Sequence, residues 1–262
     1  VDGELISDFG SMDTLKILAE NGIEYWPENQ ADEIVDLKGA TVLPGFCDSH
    51  THLVYSGSRE REFIDKIKGL SYKEIAARGG GILNSAALLG KTSEEELLRQ
   101  TLVRAKEIIN HGTTAVEIKS GYGLNPEDEI KMLRVARRIA LETPLTVKTT
   151  FLGAHAVPER FAGRREEYVN EIINEMIPVI ASEELADFID VFTEDGFFTV
   201  EETDRILNAG MKYGLRAKVH ANQMSFSGGV QIGVKYNAIS VDHLEFTGDD
   251  EFKLLSNSET MA

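Results

Sequence analysis

Pro44-Gly45-Phe46-Cys47-Asp48-Ser49-His50-Thr51-His52 places two histidines two residues apart, shortly after an apolar run, Ala40-Thr41-Val42-Leu43, that reads as a strand. Side chains at i and i+2 of a strand point to one face, so imidazoles with this spacing at a strand end can reach a single metal ion. His-x-His also arises by chance on exposed strands. The Pro-Gly step and the apolar run before it argue for a metal site.

Downstream, strand and helix alternate. Ser93-Glu94-Glu95-Glu96 reads as a capping box, Leu97, Leu98, Leu102, Ala105, Ile108 and Ile109 keep helical spacing, and Gly112 stands at the C-terminal cap. Residues 113–118 form a β-branched run, and Asn125-Pro126 opens a helix extending to Ile139. A strand over 146–152 ends in Gly153-Ala154-His155, and a helix carrying Tyr168, Val169, Ile172, Ile173, Met176 and Ile177 leads to a strand over 188–192. Thr199-Val200-Glu201-Glu202 starts a helix that Gly214 ends. Residues 217–219 deliver His220, and after a short helix over 232–236 a strand over 238–241 delivers Asp242-His243. A β/α repeat of roughly 20 to 40 residues means parallel strands with crossover helices, hence a (β/α)₈ barrel or a doubly wound sheet. No Gly-x-Gly-x-x-Gly fingerprint follows the first strand, which favours the barrel.

Five of the six histidines, His50, His52, His155, His220 and His243, fall at or just beyond strand C-terminal ends. In a barrel those ends share one face, where active sites lie. Three histidines and a carboxylate make a catalytic zinc or iron site with room for a water, and such an ion supports hydrolysis. Each histidine also has a plainer role as a hydrogen-bonded core residue. His111, in the last turn of a helix, reads as a helix-end residue. Arg78-Gly79-Gly80-Gly81-Ile82 permits close backbone approach to a ligand and an ordinary loop equally well.

Composition excludes several classes. The chain has 262 residues, 42% of them hydrophobic, which suffices for one large domain with a small appendage. A formal net charge of −17 argues against a nucleic-acid partner, and an anionic substrate would need a local cation. The single cysteine, Cys47, cannot form an intramolecular disulfide and reads as a small buried strand residue. No apolar run reaches the length of a membrane span and no signal peptide opens the chain, so a soluble cytoplasmic protein is expected. Residues 1–41 read as part of a small β domain and 42–262 as the barrel. The first of these has strand patterns over 1–10 and 33–36, a helical stretch at 15–21, and an expected missing strand upstream.

The sequence from Pro44-Gly45-Phe46 to His50-Thr51-His52, followed by His220 and Asp242-His243, resembles the metal-dependent amidohydrolase superfamily. Within it, four stretches resemble the imidazolonepropionase family: 52–60 (HLVYSGSRE), 117–124 (EIKSGYGL), 150–158 (TFLGAHAVP) and 218–223 (KVHANQ). The resemblance implies an incomplete (β/α)₈ barrel of about six strands with part of a small N-terminal β domain, and one zinc or iron ion held by His50, His52, His220 and an aspartate after an eighth strand. It implies hydrolysis of 4-imidazolone-5-propanoate to N-formimino-L-glutamate by metal-hydroxide attack on the ring carbonyl. Arg59 would hold the propionate, Tyr122, His155 and Gln223 would contact the substrate, and His155 would help to stabilise the oxyanion. His243 would relay protons, and Asp242 would orient the site or cap a turn. Gln223 cannot serve as a general base where the family also shows Glu. A homodimer is expected by resemblance alone. With six strands of eight, the fourth ligand is expected beyond the chain, and weak or no activity is expected of these residues alone. Other cyclic-amide hydrolases, aminopurine deaminases and a catalytically dead binding homologue are the alternatives. Arg59 and Tyr122 favour the propionate-bearing substrate, since a neutral purine needs no arginine clamp.

Overall fold

The computed structural model describes residues 35–70, 74 and 80–262. The expectations for residues 1–34 and for Arg78-Gly79 lie outside them. The chain divides into two compact units, Val1–Pro44 and Gly45–Ala262, and the second carries every regular strand of the described residues.

Six strands pair in chain order, all parallel: β1 (Phe46–Thr51), β2 (Thr113–Lys119), β3 (Thr146–Ala154), β4 (Phe188–Thr193), β5 (Arg216–Ala221) and β6 (Val241–His243). Sequential order without a reversal is the topology of a barrel, since a doubly wound sheet has a switch point. The sheet also curls on itself. Lys218 of β5 donates from Nζ to the Ser49 carbonyl of β1 at 3.0 Å, and His50 of β1 meets Asp242 of β6 at 2.7 Å. The architecture is a nearly closed, incomplete (β/α) barrel.

The strands alternate in a way that explains both faces. Val116 and Ile118, Ile189 and Val191, and Ala217 and Val219 pack outward into apolar clusters with the helices. Between them Glu117, Lys119, Asp190, Lys218 and His220 point inward and are buried. Helices α1 (Glu60–Ile67), α2 (Ile82–Leu89) and α3 (Glu94–Asn110) lie between β1 and β2 in the chain, and α4 (Pro126–Glu142) follows β2. Ser93 caps α3 by accepting the Glu96 N–H, and Asn125 caps α4 by accepting the Asp128 N–H, with Pro126 at the first helical position. After β3, α5 (Arg165–Glu171) continues through a π turn, Ile172–Met176, into α6 (Ile177–Ser182). Pro178 lacks an N–H and its ring would crowd the carbonyl four residues back, so a widened turn before it relieves the helix. Thr199 and Glu202 form the capping box of α7 (Val200–Lys212), and α8 (Gly229–Lys235) leads to β6.

Several boundaries differ from the sequence expectation. The apolar run before the histidines is not a strand: Val42 and Leu43 are exposed, and pairing with β2 begins at Phe46 opposite Thr113. His50 therefore lies within β1 and His52 just past its end. Val35 and Asp36 are likewise in no strand, and β6 starts at Val241 rather than Ala238. Cys47 is exposed, not buried, because among the described residues β1 pairs on one side only and its first four residues are open to solvent. Helix α9 (Asp249–Ser256), for which the sequence reading has no counterpart, follows β6, and beyond it Met261 bridges Ser240 in parallel. Val241 N–H donates to the Met261 carbonyl at 2.9 Å and Met261 N–H to that of Ile239 at 3.1 Å, a seventh ladder position beside β6. No helix of the described residues is long and apolar enough to cross a membrane.

Candidate active site

His50, His52, His155, His220 and His243 line one cavity of about 510 Å³, together with Arg59, Tyr122 and Gln223. Their ring centroids lie 4.5 Å apart for His50 and His220, 5.0 Å for His220 and His243, and 5.1 Å for His52 and His155, the last pair stacked at 10°. His111 stands apart, exposed at the C-terminal cap of α3.

Among the described residues, two groups of three place their ligand atoms within 4.8 Å of one another: His50, His220 and His243, and His52, His155 and His220. The trio expected from the sequence, His50, His52 and His220, is thus divided between two groups that share His220. The chemistry of the donors suits a metal ion. Nδ1 of His52 and both ring nitrogens of His220 are buried without a hydrogen-bond partner, which is costly for polar atoms unless something else engages them. His220 Nδ1 does face Asp190 Oδ2 at 2.8 Å, so Nε2 is the nitrogen of that ring left for an ion. Burial, then the neighbouring histidines, holds His52 well below the usual imidazole range. Burial lowers His155 to about 3, and lowers His220 to about 4 against the pull of Asp190. These rings are therefore neutral at pH 7 and offer lone pairs.

Two tautomers follow from the partners. His155 Nδ1 is 3.0 Å from the Gly121 carbonyl, which only accepts, so Nδ1 carries the proton and Nε2 is an acceptor. In this form His155 can take a proton or bind a cation, and it could donate to an oxyanion only once protonated. His50 Nδ1 likewise donates to Asp242 Oδ2 at 2.7 Å, leaving Nε2 for the cavity. Asp242 also accepts from Ser240 at 2.7 Å; burial alone would raise its carboxyl, but His50, Lys119 and Lys218 hold it well below the carboxylate range. His243 is the most open of the five, and it and Leu244 take left-handed backbone angles (φ 82° and 65°) that are strained for such side chains. Burial, then His50, lowers its pKa.

Arg59 stands at the N-terminal cap of α1, where Glu62 accepts from its Nε at 2.7 Å; Glu62 also accepts the Gly81 N–H at 3.0 Å. Gly81 thus serves the loop, with its left-handed φ of 81° opening α2. Tyr122 lies 5.3 Å from His52 and 5.5 Å from His155 between ring centroids. Its loop is held by Glu129 of α4, which accepts the N–H groups of Gly121, Gly123 and Leu124 at 3.0, 2.7 and 2.8 Å. Gln223 follows β5 in a loop that Glu194 fixes by accepting the Met224 N–H at 2.8 Å.

Beneath the histidines the barrel interior is ionic. Lys119 Nζ lies 2.8 Å from both Glu117 Oε1 and Asp190 Oδ2, and Lys218 Nζ lies 3.0 Å from Glu117 Oε2. Sequence reasoning assigned no role to these residues, although charged residues at i and i+2 within apolar strands, Glu117 with Lys119 and Lys218 with His220, were a readable signal of an inward polar face.

Curated imidazolonepropionases are similar to the chain along its whole length. Those of Flavobacterium johnsoniae and Christiangramia forsetii are 51% and 47% identical over 261 residues, which is 100% of this chain and 61% of each relative. That of Yersinia pseudotuberculosis is 44% identical over 239 residues, 91% of this chain and 59% of the relative. The chain spans about three fifths of the length of these relatives. No family model matches it. Among solved structures, guanine deaminase from C. acetobutylicum aligns with a TM-score of 0.55 at 15% identity over 90% of this chain and 57% of that one. The 5-methylcytosine deaminase from Klebsiella pneumoniae aligns with a TM-score of 0.55 at 14% identity over 79% and 48%. These likenesses show the fold.

Proposed function

Because the chain belongs to the imidazolonepropionase family by sequence, we propose that the protein hydrolyses 4-imidazolone-5-propanoate to N-formimino-L-glutamate with one zinc or iron ion. The observation that carries this reading is the convergence of five histidines, from the ends of four parallel strands, on one cavity of about 510 Å³. His50, His52 and His220 would hold the ion, through Nε2 of His50, Nδ1 of His52 and Nε2 of His220. Such an ion supplies Lewis acidity at a ring carbonyl.

The remaining roles belong to the protein's own side chains. Arg59 is the cation for the substrate carboxylate in a chain of net charge −17, and Glu62 fixes its place at the cavity edge. Tyr122 would contact the substrate ring from the side of His52 and His155, and Gln223 offers amide donors and acceptors but no proton exchange. His155 would accept a hydrogen bond at Nε2 in the cavity, being too weak a base at a pKa of about 3 to hold a proton, and His243 would pass a proton to solvent on the open side.

The test is turnover of freshly prepared imidazolonepropionate by the full-length protein, before and after dialysis against a chelator. Activity lost on chelation and regained with zinc or iron is the expected result. A folded, metal-loaded protein with no turnover would overturn the substrate assignment and direct attention to other cyclic amides and aminopurines.

A further inference from the structure

Lys119 is completely buried on β2, and its ammonium touches three carboxylates: Glu117 and Asp190 at 2.8 Å and Asp242 at 3.5 Å. Two of these reach onward to different histidines. Asp242 accepts from His50 Nδ1 at 2.7 Å; Asp190 lies 2.8 Å from His220 Nδ1 through one oxygen and accepts the His220 backbone N–H at 3.0 Å through the other. His50 comes from β1 and His220 from β5, strands that do not pair with each other. One cation thus connects the carboxylates that orient imidazoles from two sides of the barrel.

We propose that Lys119 is a positioning residue for the metal centre, fixing the orientation of His50 and His220 together through Asp242 and Asp190. The inference rests on the metal reading above. Its physical basis is that two buried carboxylates close to one ammonium cannot turn independently. With that charge removed, their mutual repulsion drives one of them to rotate away from its histidine or to take up a proton. Changing a group that orients a ligand imidazole typically costs ten- to hundredfold in metal affinity. Lys218 cannot substitute, because it reaches Glu117 and Asp242 but has no contact with Asp190 among its ion pairs.

The experiment is cobalt(II) binding to the metal-free full-length protein, followed by the visible absorption of the bound ion. Because the readout is binding, loss of turnover for other reasons cannot be mistaken for it. Lys119→Met alone strips a cation from three carboxylates, so it is combined with Glu117→Gln, which removes one positive and one negative charge together. A folded double variant is expected to bind cobalt about ten- to hundredfold more weakly, with an altered absorption spectrum. Asp190→Asn, which keeps the Lys119 side chain but removes the carboxylate charge it shares with His220, is expected to weaken binding within the same range. Wild-type affinity and spectrum in both variants would overturn the proposal. A wild-type protein that binds no cobalt would overturn the metal reading and this inference with it.

Discussion

His155 and His220 sit fully in the interior as neutral rings, and burial is the first cause, lowering them to about 3 and about 4. In the unfolded chain a histidine titrates near its ordinary value of about 6.5. As the pH falls, the unfolded state therefore takes up protons before the folded state does, and stability declines with it. The contribution is complete above about pH 6.5 and is lost progressively toward the folded values. At pH 5.5 each ring costs about 1.4 kcal/mol, so the pair costs about 3 kcal/mol relative to pH 7.5. Urea unfolding of chelator-treated protein at the two pH values reads this loss together with that of His52 and His243, which burial also lowers, so a fall of at least about 3 kcal/mol is expected. An unchanged midpoint would mean that these imidazoles protonate within the folded state. At this scale the histidines themselves were legible, because His50-Thr51-His52 carries a period-two signal and the others follow strand patterns. What holds them was less so. Asp190 stands alone in the apolar run 188–192, and nothing local says that its carboxylate faces an ammonium rather than water.

The loop after β2 shows how an element places a side chain. Gly121, Gly123 and Leu124 direct three backbone N–H groups at the two oxygens of Glu129, which burial raises against those same donors. Gly123 cannot take a side chain, since a Cβ there would lie 2.3 Å from the Glu129 nitrogen. Glu129→Gln replaces one acceptor oxygen with an amide donor, so either Gly121 or the pair Gly123 and Leu124 meets a donor. The expected loss is about 1–3 kcal/mol of stability. Faster amide exchange at those loop positions and a higher KM for the substrate, through a displaced Tyr122, are expected to accompany it. Exchange unchanged from wild type would mean that the carboxylate does not hold the loop. Element types were legible where local chemistry is strong: Ser93, Asn125 and Thr199 mark helix starts that the structure keeps. The apolar run before β1 misled because apolarity signals burial in general, whereas a strand also requires a partner, and β2 supplies one only from Phe46. Helices α1, α2 and α9 are eight residues each, too short to leave a firm periodicity.

For the whole molecule, the β/α rhythm implied parallel strands, but rhythm alone cannot distinguish an open sheet from a barrel, because closure depends on contacts far apart in the chain. Those contacts are polar here. Lys218, on β5, donates to Ser49 of β1 and Glu117 of β2 and also lies 3.6 Å from Asp242 of β6. The interior network has two ammoniums, Lys119 and Lys218, against three carboxylates, Glu117, Asp190 and Asp242. Lys218→Met leaves Glu117 short of a counter-charge in a site where its side chain is 5% exposed, and removing one partner of a buried pair costs about 3–5 kcal/mol. Adding Glu117→Gln restores the balance of the network, keeps a polar group for Lys119 and Thr150, and is expected to recover most of that loss. The two single variants and the double variant form a cycle readable by urea denaturation. Strong coupling, with the double variant more stable than Lys218→Met alone, identifies the pair as a cross-barrel tie whose cost lies in leaving one charge unpaired. Simple additivity would mean that the two side chains act independently and that the barrel is held closed by its apolar outer face alone.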